Sequence, residues 1–529
     1  MTISDSPFNI KSVAIIGAGP SGIASVYDLT RITKDGKSLF GEKNVAAHEL
    51  RGELLYDEVV AFERNPTVGG VWSRSVFHES NPDPTLPDFD FVGDLSNPQN
   101  IYKKFEISES FEEQLNESSF KNPVVKNTDA KIDNIIKYQW RGSGAYKGLF
   151  TNVTNQFMHF SFGELESTEL DKINSKYKHI PMHQTAEDVS DYLENVVDEN
   201  DLRRHIRLNS NVERVRKLDN GKWEILVSSI QILNDGSREL RWYKQYFDAV
   251  ILSSGKSIPY IPEFKGLPEF VKANDKISYA LAKTIKDPEF LQDKKKVLIV
   301  GASVSAVDLL QYTFPRDLEN SNIFLSRTSS INAVSWVYSC SYSKGINNKP
   351  EIEAFLPEEN AVKFTDGTVE YDFDAIIFAT GYQTIYPYLD QKLVEDVPNL
   401  LNFYLYTFSL GDKTLALVGN TYTSFFFNRV ESQAAALANV WGNFKQLPLI
   451  EDQEKQHKEN LALRTPLVKE IFIDPLMNLA ADERPHPFSI NPNKSDHTML
   501  TAIGRQHVEN LWINLRDGKV EQTEILQTS

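Results

Sequence analysis

Two short glycine-rich stretches are the parts of this chain whose residue types and spacing best suit ligand chemistry. The first, GAGPSG, occupies residues 17–22, follows the apolar run 13–16 and is followed by a helical pattern. In such a stretch Gly17 allows a tight turn, Gly19 lets the backbone approach a pyrophosphate, and Gly22 lets the helix pack against the strand. The stretch therefore predicts a strand, a turn and a helix whose N-terminus offers N–H groups to a dinucleotide.

The second stretch, GASVSA, occupies residues 301–306 and follows the apolar run 297–300. Ser303 stands at the second glycine position, and Ala306 stands at the third, where alanine is accepted. Serine still lets phosphates approach and adds a hydroxyl donor. We therefore expect a second dinucleotide site, built in the same way as the first.

The residues that end the next strand of each unit indicate which dinucleotide binds there. Glu63 ends the apolar run EVVAF and predicts hydrogen bonds to a ribose, although it lies further along than the usual ~20 residues. A surface insertion at residues 34–52 explains that excess. In the second unit the strand ends in Ser326 and Arg327. Because arginine binds a 2′-phosphate with a charge-assisted fork, the second site is expected to prefer NADPH.

Composition narrows the classes of function. The chain has 529 residues and a formal charge of −17, which argues against nucleic acid or an anionic membrane as the main partner. Cys340 is the single cysteine, so neither an internal disulfide nor a CxxC redox pair can form. The histidines show no metal-ligand spacing, and we expect no metal. With neither a signal segment nor an apolar stretch of about 18 residues, we expect a soluble cytoplasmic protein. Contact with the endoplasmic reticulum surface and homodimer formation stay open.

Further strings appear in an order found in one known family. They are FERNPTVGGVW at 62–72, YKGLFTN at 146–152, FATGY at 378–382 and ESQA at 431–434. Together with the two glycine turns they resemble the flavin-containing monooxygenases, which are class B flavoprotein monooxygenases, and fungal members are nearest. The resemblance covers roughly residues 10–445.

This resemblance implies an α/β fold with two Rossmann-like dinucleotide-binding domains, the NADPH domain being inserted into the FAD domain. Residues 1–256 are expected to form the first part of the FAD domain, with a surface insertion at about 75–140. Residues 257–371 are expected to form the NADPH domain. Residues 372–529 are expected to complete the FAD domain and to end in a helical tail.

The resemblance also implies roles for single residues. Asn152 is the expected catalytic residue, because in this family the asparagine lies over the flavin, and an amide can donate to oxygen without titrating. The expected FAD contacts are Gly17, Gly19, Pro20, Ser21, Gly22, Glu63, Arg64, Gly70, Val71, Trp72, Thr151, Asn152, His183, Val212, Thr380, Gly381 and Gln433. The expected NADPH contacts are Gly301, Ser303, Ser305, Ala306, Ser326 and Arg327.

The activity implied by the resemblance is an NADPH- and O2-dependent oxygenation of a small molecule. In this family a C4a-hydroperoxyflavin oxygenates a soft nucleophile, the nitrogen or sulfur of an amine or thiol. The family's FxGxxxH string begins here at Phe264, but no histidine follows before residue 296, which weakens the case for Baeyer–Villiger chemistry. Two alternatives stay open, an NADPH oxidase or reductase with the same two sites and a non-catalytic flavin-binding interaction protein.

Overall fold

The computed structural model describes residues 7–45, 52–74, 96, 107–126, 143–233, 238–255, 258–328, 335–383, 385–390, 402–420, 425–462, 469–489 and 497–529. The strands in chain order, β1 to β21, are Ser12–Ile16, Glu58–Phe62, Val124–Lys126, Ile206–Arg207, Ser210–Lys217, Trp223–Ile232, Arg238–Phe247, Ala249–Leu252, Ile258–Pro259, Ser278–Leu281, Val297–Val300, Ile323–Ser326, Asn347–Lys349, Ile352–Leu356, Ala361–Phe364, Val369–Tyr371, Ala375–Phe378, Tyr382–Gln383, Phe403–Tyr404, Phe408–Ser409 and Leu415–Leu417. The α-helices, α1 to α11, are Pro20–Leu29, Glu109–Leu115, Ser167–Asn174, Ala186–Glu199, Leu267–Ala273, Val304–Leu310, Ser335–Ser341, Phe426–Trp441, Ile450–Ala462, Asp474–Met477 and His497–Arg516.

The first large sheet has the order β19-β20-β21-β8-β1-β2-β4, with β1 parallel to both β2 and β8. Val13 and Ile15 of β1 pack in one hydrophobic cluster with α1 and α8, whereas Ala14 and Ile16 pack in another. Because side chains alternate across a strand, both faces of β1 are buried, which explains its unbroken apolar sequence. The sheet therefore presents the turn after β1 at its carboxyl edge.

The second large sheet is fully parallel, with the order β10-β17-β11-β12-β13. Its central strand β11 leads into the second glycine turn and α6. These two sheets confirm the predicted α/β class with two dinucleotide-binding units. The chain crosses between them twice, and the crossing segments pair as β9 and β18, with Tyr382 opposite Pro259.

A four-stranded antiparallel sheet, β3-β7-β6-β5, packs against the first large sheet through Val215, Trp223 and Phe247. The string NVERV at 211–215 and the runs at 223–228 and 248–252 predict three strands of one small sheet. The first two lie in β5 and β6, whereas the third prediction is wrong. The strand at 249–252 belongs to the first large sheet because it pairs with β1, and β7 takes its place.

Part of the predicted insertion at 75–140 is ordered against this small sheet. Strand β3 pairs with β7, and Glu112 of α2 accepts from Arg214 at 2.8 Å and from Lys244 at 2.7 Å. Apart from residues 96 and 107–126, the insertion lies outside the described residues.

Strand pairing and helix packing cross the domain boundaries that the sequence indicated, and those boundaries stay a prediction. Strand β17 lies beyond residue 371 but pairs with β10 and β11 inside the second sheet. The tail does not belong wholly to the FAD domain either, because Leu511 and Trp512 of α11 pack in the cluster of Val297 and Ile299. Within the described residues, none of the helices is long and apolar enough to cross a membrane.

Candidate functional site

In the first glycine turn, the backbone atoms of the turn and of the following helix pack closely together. Gly17 has a φ of 105°, and a Cβ on Gly22 would lie 2.0 Å from the Gly17 carbonyl oxygen. No side chain fits at Gly22, so the helix can approach the strand only with glycine there. Pro20 occupies the first turn of α1, where its missing N–H is not needed, and Ser21 beside it is buried.

Glu63 lies at the end of β2 and reaches back to this turn. Its Oε2 accepts from the Ala18 N–H at 2.8 Å, and its Oε1 accepts from the Asn65 N–H at 2.9 Å. Burial raises the pKa of Glu63, and the backbone donors offset part of that shift. The carboxyl group thus braces the turn, and its predicted ribose contact stays a prediction.

The segment after Glu63 passes directly over the turn. A Cβ on Gly70 would lie 3.0 Å from the Cα of Gly19, so the two glycines place two backbones in close approach. Val71 is exposed, Trp72 is half-buried under Ala186, and Arg64 is exposed. The predicted cofactor contacts of Arg64, Val71 and Trp72 stay predictions.

Two buried polar side chains near this turn escaped the sequence reasoning. Ser253 directly follows β8, and Asn420 comes shortly after β21, so both are near the carboxyl edge of the first sheet. The Ser253 hydroxyl and both amide atoms of Asn420 are buried and have no hydrogen-bond partner within the described residues. Buried polar groups normally have partners, so this edge fits a ligand rich in hydroxyl and phosphate oxygens, as FAD is. Their positions just after buried strands were the available signal.

The Gln433 amide is hydrogen-bonded within the chain, and its predicted cofactor contact stays a prediction. Its Oε1 accepts from the Gly419 N–H at 3.0 Å, and its Nε2 donates to the Tyr406 carbonyl and the Thr407 hydroxyl at 2.9 Å each. With both ends of the amide occupied, Gln433 fixes the loop that carries Asn420. Val212 likewise faces the core of the small sheet, where it pairs with Val227.

The Thr151–Asn152 loop is held from behind and leaves one amide available. The Thr151 N–H donates to the Gln184 carbonyl at 2.8 Å, and His183 Nδ1 lies 2.7 Å from the Thr151 carbonyl. Burial lowers the pKa of His183 to about 4, so at neutral pH its uncharged ring donates through Nδ1. The half-buried Asn152 amide makes no hydrogen bond within the described part of the chain. His183 thus helps to position this loop, and its predicted cofactor contact stays a prediction.

The second glycine turn repeats the geometry of the first with a more open surface. Gly301 has a φ of 107°, and a Cβ there would lie 2.4 Å from the Ala379 carbonyl oxygen. Ser303 and Ser305 are exposed, whereas Ala306, in the first turn of α6, is buried. The exposed hydroxyls suit phosphate oxygens, as predicted.

Arg327 ends the strand beside this turn with unused donors. Its Nε and Nη2 are buried and have no hydrogen-bond partner within the described residues, and its guanidinium stacks 4.0 Å from the centre of the Tyr342 ring. A guanidinium that stacks on a ring and keeps two donors available among the described residues suits a phosphate. Ser326 does not share this role, because its hydroxyl donates to the Pro350 carbonyl at 2.9 Å.

Thr380 and Gly381 lie in the crossing segments, and Thr380 also lies beside the second glycine turn, where a Cβ on Gly301 would be 3.4 Å from the Thr380 nitrogen. The Thr380 hydroxyl donates to the Tyr260 carbonyl, and the Gly381 carbonyl accepts from the Tyr260 N–H at 2.9 Å. Both residues therefore join the two passages between the domains. The described residues contain no cluster of three side chains that could hold a metal ion.

Comparison with known proteins places this geometry in a family. A family model described as flavin-binding monooxygenase-like matches residues 140–349 and 339–471. The flavin-containing monooxygenase iboF of Amanita muscaria (strain Koide BX008) is 25% identical over 488 residues, with 84% of this chain and 81% of that protein covered. The trimethylamine monooxygenase of Roseovarius nubinhibens is 23% identical over 428 residues, with 80% of this chain and 73% of that protein covered.

A solved structure agrees with the fold. The S-allyl-L-cysteine S-oxygenase from Allium sativum superposes with a TM-score of 0.58 at 20% identity, covering 95% of this chain and 99% of that one. The family match extends over more than half of the chain and includes the second glycine turn. The chain therefore belongs to the flavin-binding monooxygenase-like family, whose cofactors, FAD and NADPH, are the two that the sequence predicted.

Proposed function

We propose that this chain is an NADPH- and O2-dependent monooxygenase that oxygenates a nitrogen or sulfur atom of a small molecule. The observation that carries the proposal is the pair of glycine turns. One is closed, and the strand beside it ends in the Glu63 carboxyl group. The other is open, and its neighbouring strand ends in Arg327, whose Nε and Nη2 have no hydrogen-bond partner within the described residues. This difference suits a retained FAD and an exchangeable NADPH.

The relatives support the class of substrate. One of them is named for an amine, trimethylamine, and a structural neighbour is named for the S-oxygenation of S-allyl-L-cysteine. Amines and sulfides share a polarisable lone pair that attacks an electrophilic oxygen. We extend that property, and neither particular molecule, to this chain.

In this proposal, different residues of the chain contact oxygen, hold the loop in place and select the dinucleotide. When bound, FAD takes a hydride from NADPH and activates O2, which is chemistry that no side chain supplies. The Asn152 amide donates a hydrogen bond to oxygen as negative charge develops on it, and His183 and Gln184 hold the loop in place for that contact. Arg327 selects the phosphorylated dinucleotide.

The strand pairing also supports a revised division of the chain. We propose that the NADPH domain runs from about residue 257 to the end of β17 at Phe378. The FAD domain would comprise the first part of the chain and the segment after the second crossing. Helix α11 would belong with the NADPH domain, since Trp512 packs there.

Oxygen-18 labelling tests the proposed function. The holoenzyme is incubated with NADPH, ¹⁸O2 and a panel of tertiary amines, thiols and thioethers, while NADPH loss, peroxide and product mass are measured together. We expect one labelled oxygen atom in the product of at least one nitrogen or sulfur substrate. Recovery of all consumed NADPH as hydrogen peroxide across the panel would instead indicate an oxidase.

The C4a-hydroperoxyflavin implied by the family resemblance stays a prediction. Stopped-flow mixing of the NADPH-reduced holoenzyme with O2 is expected to give a near-ultraviolet absorbance band that persists until a substrate is added. Direct return to the oxidised flavin spectrum would contradict it. A protein that purifies without flavin would favour the interaction-module alternative.

A further inference from the structure

Residues 143–152 form a segment that touches both halves of the molecule. At one end, the Ser143 hydroxyl donates to the Val71 carbonyl at 2.6 Å, beside the first glycine turn. Two contacts then reach the second domain, where the Lys147 N–H donates to the Lys286 carbonyl at 2.8 Å and the Lys286 ammonium donates to the Ala145 carbonyl at 3.2 Å. The segment ends at Asn152, so it links the second domain to the available amide.

A further contact of this segment with the second domain joins Tyr146 and Asp308. The Tyr146 hydroxyl donates to Asp308 Oδ2, and Gln311 Nε2 donates to Asp308 Oδ1 at 3.2 Å. Tyr146 is buried, and Tyr312 meets its ring edge-on at a centroid distance of 5.8 Å. A phenol that donates to a carboxylate makes a charge-assisted hydrogen bond, stronger than a neutral one.

Asp308 lies on α6, the helix that follows the second glycine turn. The same helix is anchored from the other side, because the Trp512 Nε1–H donates to the Val307 carbonyl at 3.1 Å. Between Tyr146 and Asn152 the segment is short and braced, since the Leu149 N–H donates to the Tyr146 carbonyl and the Ala186 N–H donates to the Leu149 carbonyl. Hydrogen bonds therefore connect α6 to the segment that ends at Asn152.

We infer that Asp308 is a positioning residue which, through Tyr146, makes the placement of Asn152 depend on occupancy of the NADPH site. The inference concerns the coupling between two sites of one chain. It rests on the proposed function for its catalytic readout only. The hydrogen bond is the physical link, and Asn152 remains the residue that contacts oxygen.

The titration of Asp308 supplies a signature of this link. Burial raises the pKa of Asp308 to about 6, and the Tyr146 hydrogen bond holds it from rising further. The titratable groups around it are Tyr146 on the segment and Tyr312 on the turn after α6, with Asp287 acting on Tyr312. As the pH falls through about 6, the carboxylate becomes neutral and its hydrogen bond weakens.

The effect on stability has the opposite direction. Because the folded pKa of Asp308 is raised, the protonated carboxyl group stabilises the folded state and its ionisation disfavours it. This contribution to stability is present at low pH and is lost as the pH rises through about 6. Replacing Asp308 with an uncharged asparagine is therefore expected to leave the melting temperature at pH 8 unchanged or raised. A loss of coupling in that variant cannot then be a loss of folding.

Hydrogen–deuterium exchange of the holoenzyme tests the link without any turnover. Addition of NADP⁺ is expected to slow amide exchange in residues 143–152 of the parent protein. In Tyr146→Phe that protection should fall at least fivefold in this segment, while α6 stays protected. The matched control Tyr279→Phe removes another buried hydroxyl of the second domain, one that donates to the Asn274 carbonyl, and should behave as the parent. Equal protection in Tyr146→Phe and the parent would overturn the inference.

A pH profile provides the catalytic readout. The fraction of NADPH lost as hydrogen peroxide is expected to rise severalfold in the parent as the pH falls from 7.5 to about 5.5. In Asp308→Asn, the fraction of NADPH lost as hydrogen peroxide should be raised and nearly constant across that pH range. A parent-like profile in Asp308→Asn would overturn the role of Asp308. If no substrate is oxygenated at all, the proposed function fails, and the exchange measurement still decides the coupling.

Discussion

The two glycine turns share one backbone geometry and differ in how their surroundings treat a ligand. Around the first turn every residue of α1 is buried, and Gly22 has no room for a Cβ. Around the second turn Ser303 and Ser305 are exposed, and alanine occupies the place of Gly22. A closed turn suits a dinucleotide that stays, whereas an open turn suits one that enters and leaves during each turnover.

The residues at the strand ends beside the two turns, Glu63 and Arg327, also differ in how far the chain itself satisfies their hydrogen bonding. Glu63 is buried and already hydrogen-bonded to its own turn, so it stabilises the turn before any ligand binds. Arg327 has two unpaired donors within the described residues, so part of its hydrogen bonding is left for a ligand. The first site is thus built largely by the chain, and the second is completed by its cosubstrate.

Both turns nevertheless depend on the C-terminal tail. Arg484 donates to Asp28 of α1 at 2.8 Å and to Glu431 of α8 at 3.0 Å, all three side chains being buried. Trp512 of α11 donates to α6 in the second domain. A tail that the sequence left without a role therefore anchors both dinucleotide-binding helices.

Changing Gly22 to alanine should have the largest effect on the first turn and on its flavin binding. A Cβ 2.0 Å from the Gly17 carbonyl forces strand and helix apart, so we expect insoluble protein or protein without flavin. The matched control is Ala306→Gly, at the equivalent position of the second turn. It should cost about 1 kcal/mol of helix stability and leave flavin bound. Flavin absorbance after purification measures both. Parent-like flavin content in Gly22→Ala would contradict the closed-turn account.

Removing the Arg484 guanidinium should have the next largest effect. Arg484→Ala leaves Asp28 and Glu431 buried without their shared cation, which typically destabilises a protein by about 3–5 kcal/mol. The control is Lys445→Ala, which breaks an exposed pair with Asp482 and should change stability by less than about 1 kcal/mol. Urea unfolding followed by tryptophan fluorescence compares the two. A similar small loss in both variants would show that the buried network does not anchor α1.

The arginine at the second site should sharpen the difference in cosubstrate. Arg327→Ala removes charge-assisted hydrogen bonds worth about 1.5–3 kcal/mol, so the KM for NADPH should rise about 10- to 100-fold. The KM for NADH should change little, and Arg327→Lys should fall between the two. Steady-state NADPH and NADH oxidation measures these constants. An equal rise for both dinucleotides would refute the 2′-phosphate contact.

Replacing the Asn152 amide should change the products of turnover more than the rate of turnover. Asn152→Ala removes one donor to the reacting oxygen, so the fraction of NADPH recovered as hydrogen peroxide should rise severalfold while flavin reduction stays near the parent rate. Asn152→Asp, which keeps the shape but loses the donor, should behave similarly. Coupled measurement of NADPH, peroxide and product decides. Unchanged coupling in Asn152→Ala would rule out that role.

His183 should give the smallest effect, visible as a dependence of stability on pH. Its folded pKa of about 4 lies below the ordinary histidine value of 6.5, so the unfolded chain binds the proton first as the pH falls. Stability is therefore lost between pH 6.5 and about 4, by about 2 kcal/mol between pH 7 and pH 5. His183→Asn keeps a donor for the Thr151 carbonyl and should lose this part of the pH dependence. Urea unfolding at both pH values checks it, and identical pH dependence in the two proteins would contradict a buried neutral ring.

Much of this arrangement could be predicted from sequence, because its signals are local. An apolar run, a glycine pattern and a helix within about 20 residues identified both turns, and the YKGLFTN string identified the Asn152 loop. Contacts between distant positions leave no such pattern. Tyr146 and Asp308 are 162 positions apart, and Arg484 and Asp28 are 456 apart. The partner of the Ser326 hydroxyl is likewise set by a neighbouring strand.

The stoichiometry and exchange of the two dinucleotides test the central claim most directly. The protein is saturated with FAD and NADP⁺, and each is quantified per chain before and after extended dialysis. The account predicts one FAD per chain that survives dialysis and one NADP⁺ per chain that dialyses away and rebinds. A total of one dinucleotide per chain at saturation, or an FAD that leaves as readily as NADP⁺, would contradict it.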